Sequence, residues 1–192
     1  MKIGVIAAQG AFAEHITILK RLGVETVPVR LPEDLDSIDG LIIPGGESTT
    51  ISKLMLAYKL SGEIRHLAKK GIPIWGTCAG MILIANEIVD SSKFEPLGLM
   101  DIRVKRNAFG RQVESFETKL AIPVLGKKVF PGVFIRAPLI EQVKSGEILA
   151  RLKDGTIVAA REGKLLVSAF HPELTDDPRF HQYFIDIVGG QN

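Results

Sequence analysis

Cysteine is almost absent from this chain: one thiol, Cys78, in 192 residues. A lone thiol excludes an internal disulfide and every metal site built on a Cys-x-x-Cys pair. An excess of one charge is missing as well. Lys and Arg number 24 against 22 Asp and Glu, a formal net charge of +2 with no long basic block. Bulk attraction to nucleic acid is thereby excluded. No apolar run approaches the ~20 residues of a membrane-spanning helix. The opening Met1-Lys2-Ile3-Gly4-Val5-Ile6 reads as a strand running into a loop, too short for the apolar region of a signal peptide. Repeats, low-complexity tracts and linkers are also lacking. These absences predict a soluble cytoplasmic protein with neither membrane nor nucleic acid as partner. Its length suits one domain over residues 1–192, large enough for a single sizeable core.

The single cysteine sits at the most informative place in the chain. An apolar run, Ile72 to Trp75, ends at Gly76, and a second, Met81 to Ala85, begins just past Gly80 with the length of a helix. Strand, Gly-Thr-Cys-Ala-Gly, helix is the layout of a nucleophile elbow, with cysteine in the place of serine. Such a turn crowds the positions two before and two after the nucleophile, which favours glycine at both. It lifts the sulfur above the sheet edge beside a helix N-terminus, where the dipole favours thiolate. It also leaves the Ala79 N–H facing a developing oxyanion. The plainer alternative is a small buried apolar residue, which describes most free cysteines; the flanking glycines favour the elbow.

Strands separated by helix-length connections fill the N-terminal half: Lys2–Ala8, a helix with Phe12, Ile16, Leu19 and Leu22, then Thr26–Val29 and Gly40–Ile43. Right-handed crossovers and a parallel sheet follow. Pro44-Gly45-Gly46-Glu47-Ser48-Thr49-Thr50, before an amphipathic helix, admits three readings. It is a phosphate cradle, though no Gly-Lys-Ser/Thr follows; a tight turn with a capped helix; or an oxyanion donor loop at the carboxyl edge that also carries the elbow. From Leu99 onward β-formers dominate, and turns at Gly126, Gly132, Asp154-Gly155 and Glu162-Gly163 predict antiparallel hairpins. The fold class is therefore α/β: a flavodoxin-like, mostly parallel central sheet flanked by helices, with antiparallel strands added in the C-terminal half. A last helix, about Asp177 to Val188, carries Phe180, Phe184 and Ile187 as its buried stripe.

The final strand, Leu165 to Phe170, runs into His171-Pro172-Glu173. Two apart on an extended segment, His and Glu point the same way, so the carboxylate can hold the imidazole from behind. The other three histidines, His15, His66 and His181, lie in helical, charged contexts and receive no role. Arg106 opens a polar stretch through Gln112, and Arg136 follows Ile135 at a strand's end; either arginine can orient a carboxylate. Assembled, Cys78 is the nucleophile, His171 the proton shuttle and Glu173 the group that fixes its tautomer. Gly45, Gly46 and the Ala79 N–H hold the oxyanion. The chemistry this dictates is acyl transfer at an amide, ester or thioester.

Gly-Thr-Cys-Ala-Gly, Pro-Gly-Gly-Glu-Ser and His-Pro-Glu, in this order and spacing, resemble the class I (triad) glutamine amidotransferases. Ala8-Gln9-Gly10-Ala11-Phe12-Ala13-Glu14-His15, Arg106-Asn107-Ala108-Phe109-Gly110-Arg111-Gln112 and Phe134-Ile135-Arg136-Ala137-Pro138 are similar to one branch of them, the glutaminase subunits of pyridoxal 5′-phosphate synthase. The resemblance spans nearly the whole chain. It implies hydrolysis of L-glutamine to glutamate and ammonia, without a cofactor, and delivery of ammonia to a separate pyridoxal 5′-phosphate synthase subunit. It implies glutamine binding by Gly46, Glu47, Ser48, Arg106, Ile135 and Arg136. It further implies activation by the synthase, which completes the oxyanion hole, with the loop around Gln9 and Gly10 at the contact. Two alternatives stay open here: the glutaminase of another amidotransferase, such as imidazole glycerol phosphate synthase, and a non-enzymatic cysteine redox sensor, which has no need of His171-Pro172-Glu173.

Overall fold

In the computed structural model, which describes residues 1–89, 94–106 and 115–191, the N-terminal half mixes strands and helices, with only a 3₁₀ turn at Pro32–Leu35 between its second and third strands. The order is β1 (Lys2–Ile6), α1 (Phe12–Arg21), β2 (Glu25–Val29), β3 (Gly40–Ile43), α2 (Ser48–Ala57), α3 (Leu60–Lys69), β4 (Ile74–Thr77) and α4 (Ala79–Ile84). β3 and β4 are buried at every position, the burial of strands covered on both faces, which is why their sequences do not alternate. Strands then dominate: β5 (Ala85–Val89), β6 (Met100–Lys105), β7 (Ser115–Leu120), β8 (Phe130–Ile135), β9 (Leu139–Val143), β10 (Glu147–Arg151), β11 (Ile157–Glu162) and β12 (Leu165–Ser168). α5 (Arg179–Val188) closes the chain.

The main sheet runs β2-β1-β3-β4-β12-β11-β9-β6-β5, with β10 on β11. From β2 to β12 every pair is parallel; β12–β11, β11–β9 and β9–β6 are antiparallel. This is the expected parallel half-sheet with an antiparallel extension, and β7–β8 form a separate antiparallel ribbon. Three of the expected turns are there: Gly126 lies between β7 and β8, Asp154-Gly155 between β10 and β11, and Glu162-Gly163 between β11 and β12. Gly132 is not a turn. It sits inside β8, where a Cβ would stand 2.8 Å from the Leu120 side chain of β7, so its glycine serves strand packing.

α5 packs on the sheet over β4. Its Phe180, Phe184 and Ile187 are buried as the helical spacing predicts, together with His181 and Tyr183. Phe180 and Phe184 pack tilted against Trp75 of β4, with ring centres 5.3 and 5.5 Å away. Among the described residues no helix is long and apolar enough to cross a membrane. The topology has one consequence for chemistry: β3, β4 and β12 are adjacent and parallel. The segments that follow them, beginning at Pro44, Cys78 and Ala169, therefore leave the sheet at one edge, where doubly wound folds build their sites.

Candidate active site

Cys78 occupies backbone that side chains rarely adopt, φ 49° and ψ −103°, and is 6% exposed. A non-glycine residue there costs energy and persists only when its surroundings fix it. They do. The Cys78 N–H donates to the Ser168 carbonyl of β12 at 2.7 Å, and its own carbonyl accepts from the Ile82 N–H at 3.3 Å. Both flanking glycines are sterically required. A Cβ at Gly76 would stand 2.5 Å from the Gly80 backbone, and one at Gly80 would stand 1.9 Å from the Ile43 carbonyl oxygen. Ala79 opens α4, so its N–H has no acceptor within that helix.

His171 hangs from β8 through its N–H, which donates to the Val133 carbonyl at 2.8 Å. Its Nδ1 lies 2.6 Å from Glu173 Oε1, and its ring shares with Cys78 the space over Gly45. The route to the His–Glu pair differs from the expected one. β12 ends at Ser168, and Pro172–Leu174 form a single 3₁₀ turn, so the carboxylate comes up beneath the ring by a turn and not along a strand. Pro172 takes the first position of that turn, where its fixed φ and missing N–H are tolerated. Burial alone would lower the His171 pKa, but the negative charge of Cys78 and Glu173 and the N–H the ring donates to Glu173 outweigh it and push it up to about 10. Burial likewise opposes ionisation of Glu173, yet the imidazoles of His15 and His171 beside it hold its carboxyl below the usual range.

The Gly45–Ser48 loop packs directly on this pair. A Cβ at Gly45 would stand 2.4 Å from His171 Cε1 and 3.3 Å from the Cys78 Cβ. The Gly45 carbonyl accepts the Ala11 N–H at 3.2 Å, so the Gly46 N–H of the same planar peptide points away from the Gln9–Ala11 loop. Gln9 Oε1 accepts the Glu47 N–H at 2.9 Å. Gly10 has φ +96°, and a Cβ there would stand 1.8 Å from the Gly45 oxygen. The two loops are therefore interlocked, although nothing in the spacing of Gln9 and Gly45 announces it. Glu47 caps α2, accepting from the N–H groups of Thr49 and Thr50 and from the Thr50 hydroxyl. Slight burial works against its ionisation; those bonds win and bring its pKa to about 2. Ser48, the first residue of α2, is buried.

Arg106 reaches this loop. Its Nη2 lies 3.7 Å from Glu47 Oε1 and its guanidinium sits over the Phe94 ring. Residues 107–112, the remainder of that polar stretch, lie outside the described residues. The Ile135 carbonyl is 3.9 Å from Cys78 Sγ, and Arg136, with φ 42°, is exposed beside it. Cys78, His171, Glu173, Gly45 to Ser48, Gln9, Gly10, Arg106, Ile135 and Arg136 thus gather at or next to one sheet edge.

Two histidines without an assigned role are buried behind it. His15 and His181 are both 0% exposed, joined by Nδ1 and Nε2 at 2.9 Å, and His15 Nε2 is 3.4 Å from Glu173 Oε2. The signal for them was helical spacing. His15 shares the inward face of α1 with Ile18 and Leu19, and His181 lies three residues before Phe184 on α5.

With the geometry described, similarity to known proteins narrows the chemistry. Residues 5–189 match the model of the SNO glutamine amidotransferase family. The chain is 60% identical over 190 residues to pyridoxal 5′-phosphate synthase subunit PdxT of Dehalococcoides mccartyi, covering 98% of this chain and 97% of that one. It is 57% identical to the protein of that name in Moorella thermoacetica, covering 98% and 100%. A crystal structure described as a glutamine amidotransferase superposes with a TM-score of 0.91 at 50% identity, over 97% of this chain and 98% of that one. PurLQS from Thermotoga maritima, at 18% identity and a TM-score of 0.70, shares the fold.

Proposed function

The chain belongs to the SNO glutamine amidotransferase family, and from that premise we propose how its residues hydrolyse L-glutamine and hand on the ammonia. It is the glutaminase subunit of pyridoxal 5′-phosphate synthase, working with a separate synthase subunit that uses the ammonia. The Cys78 thiolate attacks the side-chain carbonyl carbon of glutamine. The oxyanion that forms is held by the Ala79 N–H and by the backbone of Gly45 and Gly46. His171 gives its proton to the departing amine, which leaves as ammonia, and a γ-glutamyl thioester remains on Cys78. Water deprotonated by His171 then attacks the thioester carbon, and glutamate leaves as the thiolate re-forms. Glu173 holds Nδ1–H, so that Nε2 is the nitrogen that works on the sulfur side.

The observation that carries this is the strained Cys78 elbow placed beside a buried, hydrogen-bonded His171–Glu173 pair. The amino-acid end of glutamine is bound by Gly46, Glu47 and Ser48 on one loop, with Arg106 for its carboxylate and Ile135 and Arg136 at the mouth. The synthase meets the loop of Gln9 and Gly10, and the lock of that loop onto Gly45 and Glu47 supports the idea that docking resets the oxyanion donors. A cytoplasmic location is part of the proposal, because a working thiol needs a reducing compartment. The test is ammonia release from L-glutamine with and without the synthase subunit, with Cys78→Ala beside the wild type. Strong stimulation that depends on Cys78 is expected. No release in either condition, from a synthase shown to accept added ammonia, rejects it.

A further inference from the structure

Glu173 has two oxygens, and the triad uses one. Oε1 faces His171 Nδ1 at 2.6 Å. Oε2 is fully buried and has no hydrogen-bond partner among the described residues; His15 Nε2 stands 3.4 Å from it. A buried carboxylate oxygen left dry costs on the order of 1–3 kcal/mol, so the group facing it matters.

The proton positions follow from what each atom can do. An ionised carboxylate only accepts, so His15 Nε2 must carry hydrogen to face it favourably. Burial pushes the pKa of His15 down and that of His181 well down, so neither ring carries a second proton. His15 Nδ1 is then a bare acceptor, and the 2.9 Å contact is a hydrogen bond donated by His181 Nε2–H. That leaves His181 Nδ1 bare, and it is the ring nitrogen without a partner; an unpartnered lone pair costs less than an unpartnered N–H. The other groups packed around His15 are Thr77 Oγ1 of β4, hydrogen-bonded to the same Nε2 at 3.4 Å, and Trp75, edge-on at 5.4 Å; Glu14 on α1 is exposed.

We propose that His15 and His181 are positioning residues for the triad: a buried imidazole relay, α5 to α1, whose terminal ring on His15 sets its Nε2 edge, held by Thr77, against the outer oxygen of Glu173. The relay rests on the glutaminase reading given above. It keeps the carboxylate ionised in a dry site and rotated so that Oε1 meets His171. Core packing alone would ask only for flat rings against Trp75, which phenylalanine supplies.

The experiment combines ring-¹⁵N NMR of histidine-labelled protein with pH profiles of ammonia release in the synthase complex. Wild-type His15 and His181 are expected as neutral Nε2–H tautomers. His15→Leu is expected to lower kcat about 10- to 100-fold, the usual effect of removing a group that orients a working ligand or base, with KM little changed. Its acidic limb should move to higher pH, because Glu173 protonates more readily without the donor. His15→Gln, whose amide N–H stands where Nε2–H did, should restore both. His181→Phe, which keeps the ring and removes the donor, should lose activity several-fold. A neutral Nδ1–H tautomer of His15 overturns the relay, as does an unmoved kcat and acidic limb in His15→Leu. Should His15→Leu fail to fold, the tautomers and His181→Phe decide. Should wild type release no ammonia, the function fails separately, and the tautomers together with any shift of the His171 Nδ1–H resonance in His181→Phe still decide the relay.

Discussion

Gly45 and His171 touch so closely that no side chain fits between them: a Cβ at residue 45 would stand 2.4 Å from Cε1 of the imidazole. The loop after β3 and the base after β12 are thus one mechanical unit, and the smallest change at the loop is a change at the base.

Gly45→Ala is expected to displace the His171 ring while leaving the sheet intact. Its φ is outside the left-handed region, so the cost is steric contact with the ring and not backbone strain. A shift of about 1 Å at a catalytic group costs on the order of 100-fold. The variant should melt close to wild type and show about that loss in kcat for ammonia release. Unchanged turnover would mean that His171 does not hold the working proton.

Gly80→Ala acts on the fold instead. The added carbon would meet the Ile43 carbonyl oxygen at 1.9 Å, and backbone cannot move aside as a flexible side chain can. The expected loss is about 3 kcal/mol, read from urea denaturation, or failure to accumulate as folded protein. A variant within about 0.5 kcal/mol of wild type would show that the elbow is looser than drawn.

The contrast between these glycines explains what was legible in the sequence. Gly76 and Gly80 could be placed because an elbow is a local motif, fixed by residues within a few positions of Cys78. The parallel half-sheet could be read because buried strands make apolar runs. β9 and β10 could not, since Leu139–Val143 and Glu147–Arg151 mix exposed and buried positions and depend on partners far along the chain. The His171–Glu173 contact was anticipated, but through an extended segment where the chain in fact turns at Pro172. His15 and His181 were missed for a related reason. A charged neighbourhood in sequence, Glu14 beside His15, says nothing about which face of α1 each residue occupies; the spacing to Ile18 and Leu19 does.

Glu47→Ala separates binding from chemistry. The side chain caps α2 and lies 3.7 Å from Arg106, and losing the cap costs about 1 kcal/mol. KM for glutamine should rise with kcat largely retained, the pattern of lost ground-state binding. The cap's pH dependence has a fixed sign. With the folded pKa lowered to about 2, its contribution is present above about 4.5 and disappears as pH falls toward 2. A fall in kcat with unchanged KM would remove Glu47 from the substrate site.

His171 gives the opposite sign. Its folded pKa is raised to about 10 above an ordinary value near 6.5, so the stability it contributes is complete below about 6.5 and lost as pH rises through about 10. The urea midpoint of wild type should exceed that of His171→Gln most at pH 6, and the gap should close by pH 10.5. A gap that is constant across this range would mean that the imidazolium is not held by Cys78 and Glu173.

The most direct measurement is chemical capture of the covalent intermediate. The complex with the synthase subunit is mixed with L-glutamine, quenched in acid within the first turnovers, digested and examined by mass spectrometry. A γ-glutamyl group on the peptide carrying Cys78, absent from Cys78→Ala, is expected. Steady ammonia release with no glutamyl group on Cys78, or with the label on another residue, would contradict the assignment of this thiol as the nucleophile.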